Sequence, residues 1–333
     1  MSKIIIHCIG GAGINIGYTL YNKLGHLGEG YADVEYHWVD TSLANNAKVT
    51  ACGGKLKRVT TNRSHGLGIN GSGGERSTNA KDLQDAMKEY MDVNKWYRDD
   101  VNTTHVVLFS LSGGTGAVAG PVLIQELMRK QMTVVAIAIG DSKDLITCRN
   151  SINTLKTLGV MANKNNATLS LFYRLNAYGT SYAVDADILQ YMETLRLFLS
   201  GLNNDLDIQD IRNLLNQKNY KTISVPSGVY MVSRVVGAIT KPVVGDITTS
   251  RTLLLGNGVY ESSVTVMHEK VGSVPTVIDT SIADVSISLV SVNGALTNVI
   301  SKLETDKDIL ERVETGLVKE EFEVSDDDDG LIL

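Results

Sequence analysis

No apolar run in these 333 residues approaches the length needed to span a bilayer. The opening stretch MSKIIIHCIGG holds too short an apolar core for a signal peptide and runs directly into strand-like sequence. An intracellular protein without a membrane partner is therefore expected. A basic excess is missing too: 31 Lys and Arg stand against 37 Asp and Glu, a formal charge of −6. With no surplus of cations to neutralise phosphates, direct nucleic-acid binding is not expected. Cysteine is scarce. Cys8, Cys52 and Cys148 form an odd set without CxxC spacing, as unpaired thiols in a reducing compartment do. The six histidines are scattered, with no HExxH and no Cys/His cluster, so no zinc site is predicted and no metal ligands are assigned. No GxxxxGK[ST] occurs either, and with it goes the lysine that a P-loop sets against phosphate charge.

What is present is the composition of a folded soluble protein, 43% hydrophobic and 20% charged, long enough for two packed domains or one large one. Through the first half, KIIIHCIG, VEYHWVD, THVVLFSL and MTVVAIAIG predict strands. Between them NIGYTLYNKLG and PVLIQELMRKQ predict helices, the second opened by Pro121. Such alternation gives a mostly parallel sheet with helices on each side. Farther on, Ile188, Met192, Leu195, Leu199 and Leu202 keep one stripe along a long helix in VDADILQYMETLRLFLSGL. β-rich sequence follows in YKTISVPSGVYMVSRVVGA, SSVTVMHEKV and ADVSISLVSVNG, with a helical LTNVISKLETD behind it. The expected fold is α/β: a parallel-sheet domain over residues 1–182, a long central helix and loop over 183–210, a second α/β domain over 211–300, and a C-terminal helix with an acidic tail over 301–333.

Three glycine-rich stretches follow or join the strand-like runs: GGAGINIG (10–17), HGLGINGSGG (65–74) and SLSGGTGAVAG (110–120). Ligands of an open α/β sheet bind at the carboxyl ends of its strands. A helix beginning there presents unpaired N–H groups and about half a positive charge, and glycine lets that backbone close on a phosphate without a Cβ in the way. One such run is more often a tight turn; three around one sheet point to a polyphosphate ligand. The rival is a dinucleotide fold, with Asp40 closing VEYHWVD where a ribose-binding carboxylate would stand. A GxGxxG begun at Gly11 needs glycine at 16, however, where Ile16 sits. An NAD-dependent oxidoreductase also leaves the two other loops without a purpose.

SGGTGAVAG resembles the GGGTGSG signature of the tubulin and FtsZ superfamily, with Gly113, Gly114, Thr115, Gly116 and Gly120 in place and Ser112 where the first glycine is usual. GGAGINIG is similar to the first nucleotide loop of tubulins, through Gly11, Ala12, Gly13, Asn15 and Gly17. VDTSLANN resembles the NTDxQ loop of FtsZ, which puts Asp40 in the second loop. GLGINGSGG is similar to the third, which puts Gly68, Asn70 and Gly71 by the terminal phosphate. The likeness runs from residue 3 to about 215, and more loosely to 300; the short chain and its tail are most similar to the phage-encoded tubulins of the PhuZ type.

That resemblance implies a GTPase that binds GTP or GDP with Mg²⁺ and polymerises with itself, the next subunit completing the active site. LNNDLDIQDIRNLL resembles the NxDxxD synergy loop of the family, with Asp207 and Asp210 in the aspartate places as the catalytic pair. Asp205 stands where asparagine is usual, with Asn203 or Asn204 as alternatives for that position. Tyr182 falls where the family stacks a ring on guanine. Asp187 matches the aspartate of NDVL and Ala186 replaces its asparagine, so Asp185 is the substitute acceptor for the guanine N1–H and amino group. Asp144 and Arg149 fall in the fifth nucleotide loop. In the tail SDDDDGLIL, the resemblance implies that Asp326, Asp327, Asp328 and Asp329 meet a basic patch on the neighbouring subunit while Leu331, Ile332 and Leu333 fill a groove. The working form implied is a filament in the host bacterial cytoplasm that positions phage DNA or its replication centre, with DNA-associated or capsid cargo. The alternatives are a plasmid-segregating tubulin and a nucleotide switch that neither polymerises nor hydrolyses.

Overall fold

A computed structural model describes residues 2–25, 31–61, 71–72, 76–96, 102–176, 181–200, 215–216, 227–236, 250–255, 266–272 and 287–315. The apolar runs form strands β1 (Lys3–Ile9), β2 (Asp33–Asp40), β4 (Thr103–Ser110) and β5 (Thr133–Asp141), joined by β3 (Leu56–Arg58), β6 (Thr168–Asn176) and β7 (Gly228–Val236). These seven are parallel, in the order β3-β2-β1-β4-β5-β6-β7. The sheet continues through β10 (Ile287–Asn293), antiparallel to β7, then β8 (Ser250–Leu255) and β9 (Val266–Gly272). The helices are α1 (Gly10–Leu24), α2 (Asn46–Ala51), α3 (Ala80–Asn94), α4 (Gly116–Arg129), α5 (Leu145–Lys164), α6 (Ser181–Phe198) and α7 (Ala295–Glu314).

Strand side chains alternate between faces, so a strand covered on both sides must be apolar at every position. Ile4, Ile6 and Cys8 of β1 join Val106 and Leu108 of β4 in one core layer, beneath Ile14 and Leu20 of α1 and Ile188, Tyr191 and Leu195 of α6. Ile9, Val107 and Phe109 point the other way, into a layer closed by Leu123 and Leu127 of α4, Leu155 and Leu158 of α5, and Leu303 of α7. Of the predicted stripe, Ile188, Met192 and Leu195 are buried on α6 and Leu199 is buried just past its end, while Leu202 lies outside the described residues; the α/β parallel sheet is the observed core. No helix among the described residues is long and apolar enough to cross a membrane.

One helix starts earlier than its sequence predicts. Pro121 does not open α4; it lies inside a helix that begins at Gly116. Proline cannot donate to the carbonyl four residues back, here Ala117. Arg76 Nε donates to that oxygen at 3.4 Å, and the same guanidinium bonds Thr157 Oγ1 on α5 at 2.7 Å. A cation from the loop before α3 thus occupies the acceptor that the proline leaves open.

β1 also carries a polar inlay. His7 is wholly buried between Tyr90 Oη (2.9 Å from Nδ1) and His105 Nδ1 (3.0 Å from Nε2), with Trp96 edge-on at 4.8 Å between ring centroids. Burial, aided by the neighbouring His105 and His37, holds the His7 imidazole well below the ordinary histidine range. Below about pH 6.5 the unfolded chain takes up a proton that the folded chain refuses, so this residue removes up to about 1.4 kcal/mol of stability per pH unit. Urea midpoints between pH 7.5 and 5 are expected to fall more steeply for the wild type than for His7→Gln, which lacks the titrating ring. Parallel slopes would show that His7 is not held neutral.

Candidate functional site

The strand order reverses direction around β1: the chain leaves it toward β2 on one side and returns as β4 on the other. Two glycine-rich loops therefore leave neighbouring strand ends side by side. α1 begins at Gly10, immediately after β1, and α4 begins at Gly116, soon after β4. Gly10 has a φ of +71°, and a Cβ there would stand 3.2 Å from the Gly116 amide nitrogen. The residue type is dictated twice, by a left-handed backbone and by contact with the second loop.

The two helix starts lack side-chain caps, as do those of α2, α3 and α7; what sets α1 and α4 apart is that they meet over one cavity. Neither N-cap residue, Ile9 or Thr115, makes a side-chain cap, and neither helix has an acid in its first turn. α5 is the contrast, closed by a capping box in which Asp144 accepts the Thr147 N–H at 2.8 Å. Helix starts that share one opening favour an anion there, even though in α4 the Ala117 N–H donates to Gly113 O and the Val118 N–H to Thr115 O, each at 3.3 Å. They open on a cavity of about 370 Å³ lined by Gly11, Ala12, Asp40, Gly71, Gly113, Gly114, Thr115 and Gly116. A larger cavity of about 470 Å³ lies between α3, α4 and α5, away from these helix starts. The smaller one is singled out by its donors, not its size.

A short polar ladder floors it. Thr41 Oγ1 and Thr115 Oγ1 are 2.8 Å apart, and Thr115 Oγ1 donates to Ser72 Oγ at 3.4 Å. Asp40 is buried and accepts the Thr41 N–H at 2.8 Å. Burial raises its carboxyl, partly offset by hydrogen bonds from Ser42, Thr41 and Thr115. Outer supports hold the loops in place: Asn79 Nδ2 donates to Ser72 O at 3.0 Å, and Asn150 Nδ2 to Ser112 O at 3.0 Å. Thr41, Ser42, Asn45, Ser72 and Ser110 join the lining without having been singled out by sequence. Thr41, Ser42 and Asn45 lie within VDTSLANN, and Ser72 and Ser110 within the glycine-rich stretches, so the loops were legible although these side chains were not.

The remaining sequence candidates are placed as follows. Gly13 packs beneath the loop, where a Cβ would lie 2.4 Å from Leu108 O. Asn15 is exposed one turn along α1 and accepts from Lys48 Nζ. Asp144 serves the α5 capping box, and Arg149 pairs with Glu311 of α7 at 2.8 Å. On α6, Tyr182 is 86% exposed, burial raises the half-buried Asp185 carboxyl, and Asp187 pairs with Arg174 at 2.8 Å. Gly68, Asn70, Asp207, Asp210 and the tail residues Asp326, Asp327, Asp328, Asp329, Leu331, Ile332 and Leu333 lie outside the described residues.

The Tubulin/FtsZ family GTPase-domain model matches residues 3–171, which is half of the chain and carries the whole glycine cavity. This chain belongs to the tubulin/FtsZ family. Among curated proteins of the family, the phage tubulin-like protein of Pseudomonas phage 201phi2-1 is 26% identical over 212 residues, 63% of this chain and 60% of that protein. The phage tubulin-like protein of Pseudomonas phage phiKZ is 26% identical over 224 residues, 64% of this chain and 63% of that one. The chain thus matches under two thirds of each relative's length. Solved structures agree over more of the chain: the PhuZ201 filament (TM-score 0.73, 20% identity, covering 100% of this chain and 96% of that one) and the phage tubulin PhuZ with GDP (0.75, 20%, 100% of both). The protofilament of TubZ from bacteriophage PhiKZ aligns at 0.71, with 21% identity over 99% of this chain and 98% of that one. At these identities the likeness is one of fold: the chain has a tubulin-like α/β architecture.

Proposed function

We propose that this tubulin-family chain binds and hydrolyses a guanine nucleotide and works as a filament of its own copies. The observation that carries the reading is the pair of uncapped helix starts, α1 and α4, meeting at Gly10 and Gly116 over a cavity without a Lys or Arg in its described lining. Amides of the first turns hold the phosphates, and the Thr41–Thr115–Ser72 hydroxyls take the oxygens that the amides leave. Membership in a GTPase-domain family, and relatives solved as a filament and with GDP, support guanine nucleotide and self-assembly.

Mg²⁺ fits the site chemically. The buried Asp40 carboxylate and the threonine hydroxyls are hard oxygen donors beside the expected phosphates. Bound there beside a nucleotide, the ion would be held by Asp40 and those hydroxyls together with phosphate oxygens. The ion supplies charge neutralisation that the protein's side chains do not.

Hydrolysis belongs to the assembled form in this reading. Two unit charges about 4 Å apart interact by about 4 kcal/mol at an effective dielectric near 20. Carboxylates kept permanently beside a triphosphate would oppose nucleotide binding, so Asp207 and Asp210 act when a neighbouring subunit brings them, orienting and deprotonating the attacking water. In this reading Tyr182 and Asp185 on α6 serve the base, and Asp144 and Arg149, engaged in the α5 capping box and with Glu311, belong to the fifth loop. The acidic, apolar-ended tail holds the next subunit. The filament positions phage DNA or its replication centre in the cytoplasm of the infected bacterium.

Sedimentation and phosphate release, followed across protein concentration with GTP and then GDP, test the reading. Pelleted polymer with GTP, little with GDP, and turnover per molecule that climbs with concentration are expected. Equal turnover per molecule in dilute and concentrated protein would overturn it.

A further inference from the structure

One helical turn past the cavity lining, α1 and α2 each carry a polar side chain that does not itself line the cavity. Gly11 and Ala12 line the cavity on α1, and Asn15 follows them at i+4 and i+3, on the same face. Ala44 and Asn45 line it at the start of α2, and Lys48 follows them with the same spacing, its N–H bonded to Asn45 O at 3.1 Å. The two outer residues meet, with Lys48 Nζ donating to Asn15 Oδ1 at 2.5 Å. Both are exposed, so neither is held there to fill the core.

Lysine has donors and no acceptor, whereas an asparagine amide can present either end. Contact with Lys48 therefore decides which end of Asn15 faces α2 and which is left for a ligand. We propose that Lys48 is a positioning residue: by taking Asn15 Oδ1 it leaves Nδ2 as a pure donor toward the sugar or base that follows the phosphates. The outer subsite then selects ligand atoms that accept hydrogen bonds. This assignment rests on the nucleotide reading above.

Equilibrium titration of the full chain with fluorescent GTP and with inorganic tripolyphosphate separates the possibilities. Lys48→Met is expected to weaken GTP about three- to tenfold, the worth of one oriented hydrogen bond, and to leave tripolyphosphate unchanged. Asn15→Ala should weaken GTP similarly, and the double variant no further, because the lysine acts only through the amide. Lys48→Arg, still a donor, should restore affinity. Lys48→Glu, an acceptor that turns the amide round, should bind GTP at least as weakly as Lys48→Met. Additive losses in the double variant, or an equal loss for tripolyphosphate, would overturn the assignment while leaving the nucleotide reading intact. A wild-type chain that binds neither ligand would overturn both.

Discussion

Asp207→Ala protein is expected to bind GTP with near wild-type affinity and to assemble, yet to turn GTP over about a hundred to ten thousand times more slowly, the usual worth of a general base. Polymer should then persist long after wild-type polymer has disassembled. The physical reason lies in what the pocket contains. Its described lining supplies amide donors, hydroxyls and one buried carboxylate, Asp40, which is tied to the Thr41 N–H at 2.8 Å. In the proposed reading Asp40 is committed to the loop and to the metal ion, so the base is expected from outside this lining. Asp207 and Asp210 are the candidates in LNNDLDIQDIRNLL. Phosphate release at saturating GTP, read beside sedimentation, checks the point. Turnover within a few-fold of wild type would remove Asp207 from the mechanism, and Asp210→Ala would then be the next variant measured.

Gly13→Ala should cost the fold itself. A Cβ at Gly13 would stand 2.4 Å from Leu108 O and 3.2 Å from the Cys8 carbonyl carbon. Both are backbone atoms of central strands and cannot swing aside. α1 would have to lift off β1 and β4, carrying the Gly10–Gly116 junction with it. Overpacking of this kind costs about 1–3 kcal/mol, sometimes more, and this contact belongs at the upper end. A thermal midpoint lower by several degrees and a loss of nucleotide affinity are expected together. Gly11→Ala is the control, since its Cβ would meet only the Asn45 side-chain amide at 3.4 Å. It should leave the midpoint within about 1 °C or so of wild type. An unchanged midpoint for Gly13→Ala would mean that α1 is not seated on the sheet as described.

Much of the sheet was legible because its signal is local. KIIIHCIG, VEYHWVD, THVVLFSL and MTVVAIAIG became β1, β2, β4 and β5, since strands covered on both faces show as unbroken apolar runs. The stripe of Leu83, Met87, Tyr90 and Met91 makes α3 just as readable in retrospect, although it yielded no predicted helix. The start of α4 was not legible. Proline at 121 reads as a first helical turn, and the Arg76 contact to Ala117 O, which takes up the acceptor that an interior proline leaves open, comes from 41 residues away.

The site divides in the same way. Glycine density marked Gly10–Gly13 and Gly113–Gly116, because a backbone that must meet another backbone or a phosphate excludes side chains, and that exclusion is written residue by residue. The Thr41–Thr115–Ser72 ladder and the Lys48–Asn15 contact join residues 33 to 74 positions apart, or 43 in the case of Ser72 and Thr115. Short hydroxyl and amide side chains have no period to reveal such pairing. The sequence by itself determined that strands would alternate with helices and that their ends would be bare. Which ends stand beside each other, and which polar groups meet there, was decided by the reversal of strand order between β1 and β4, a property of packed layers that no single segment contains.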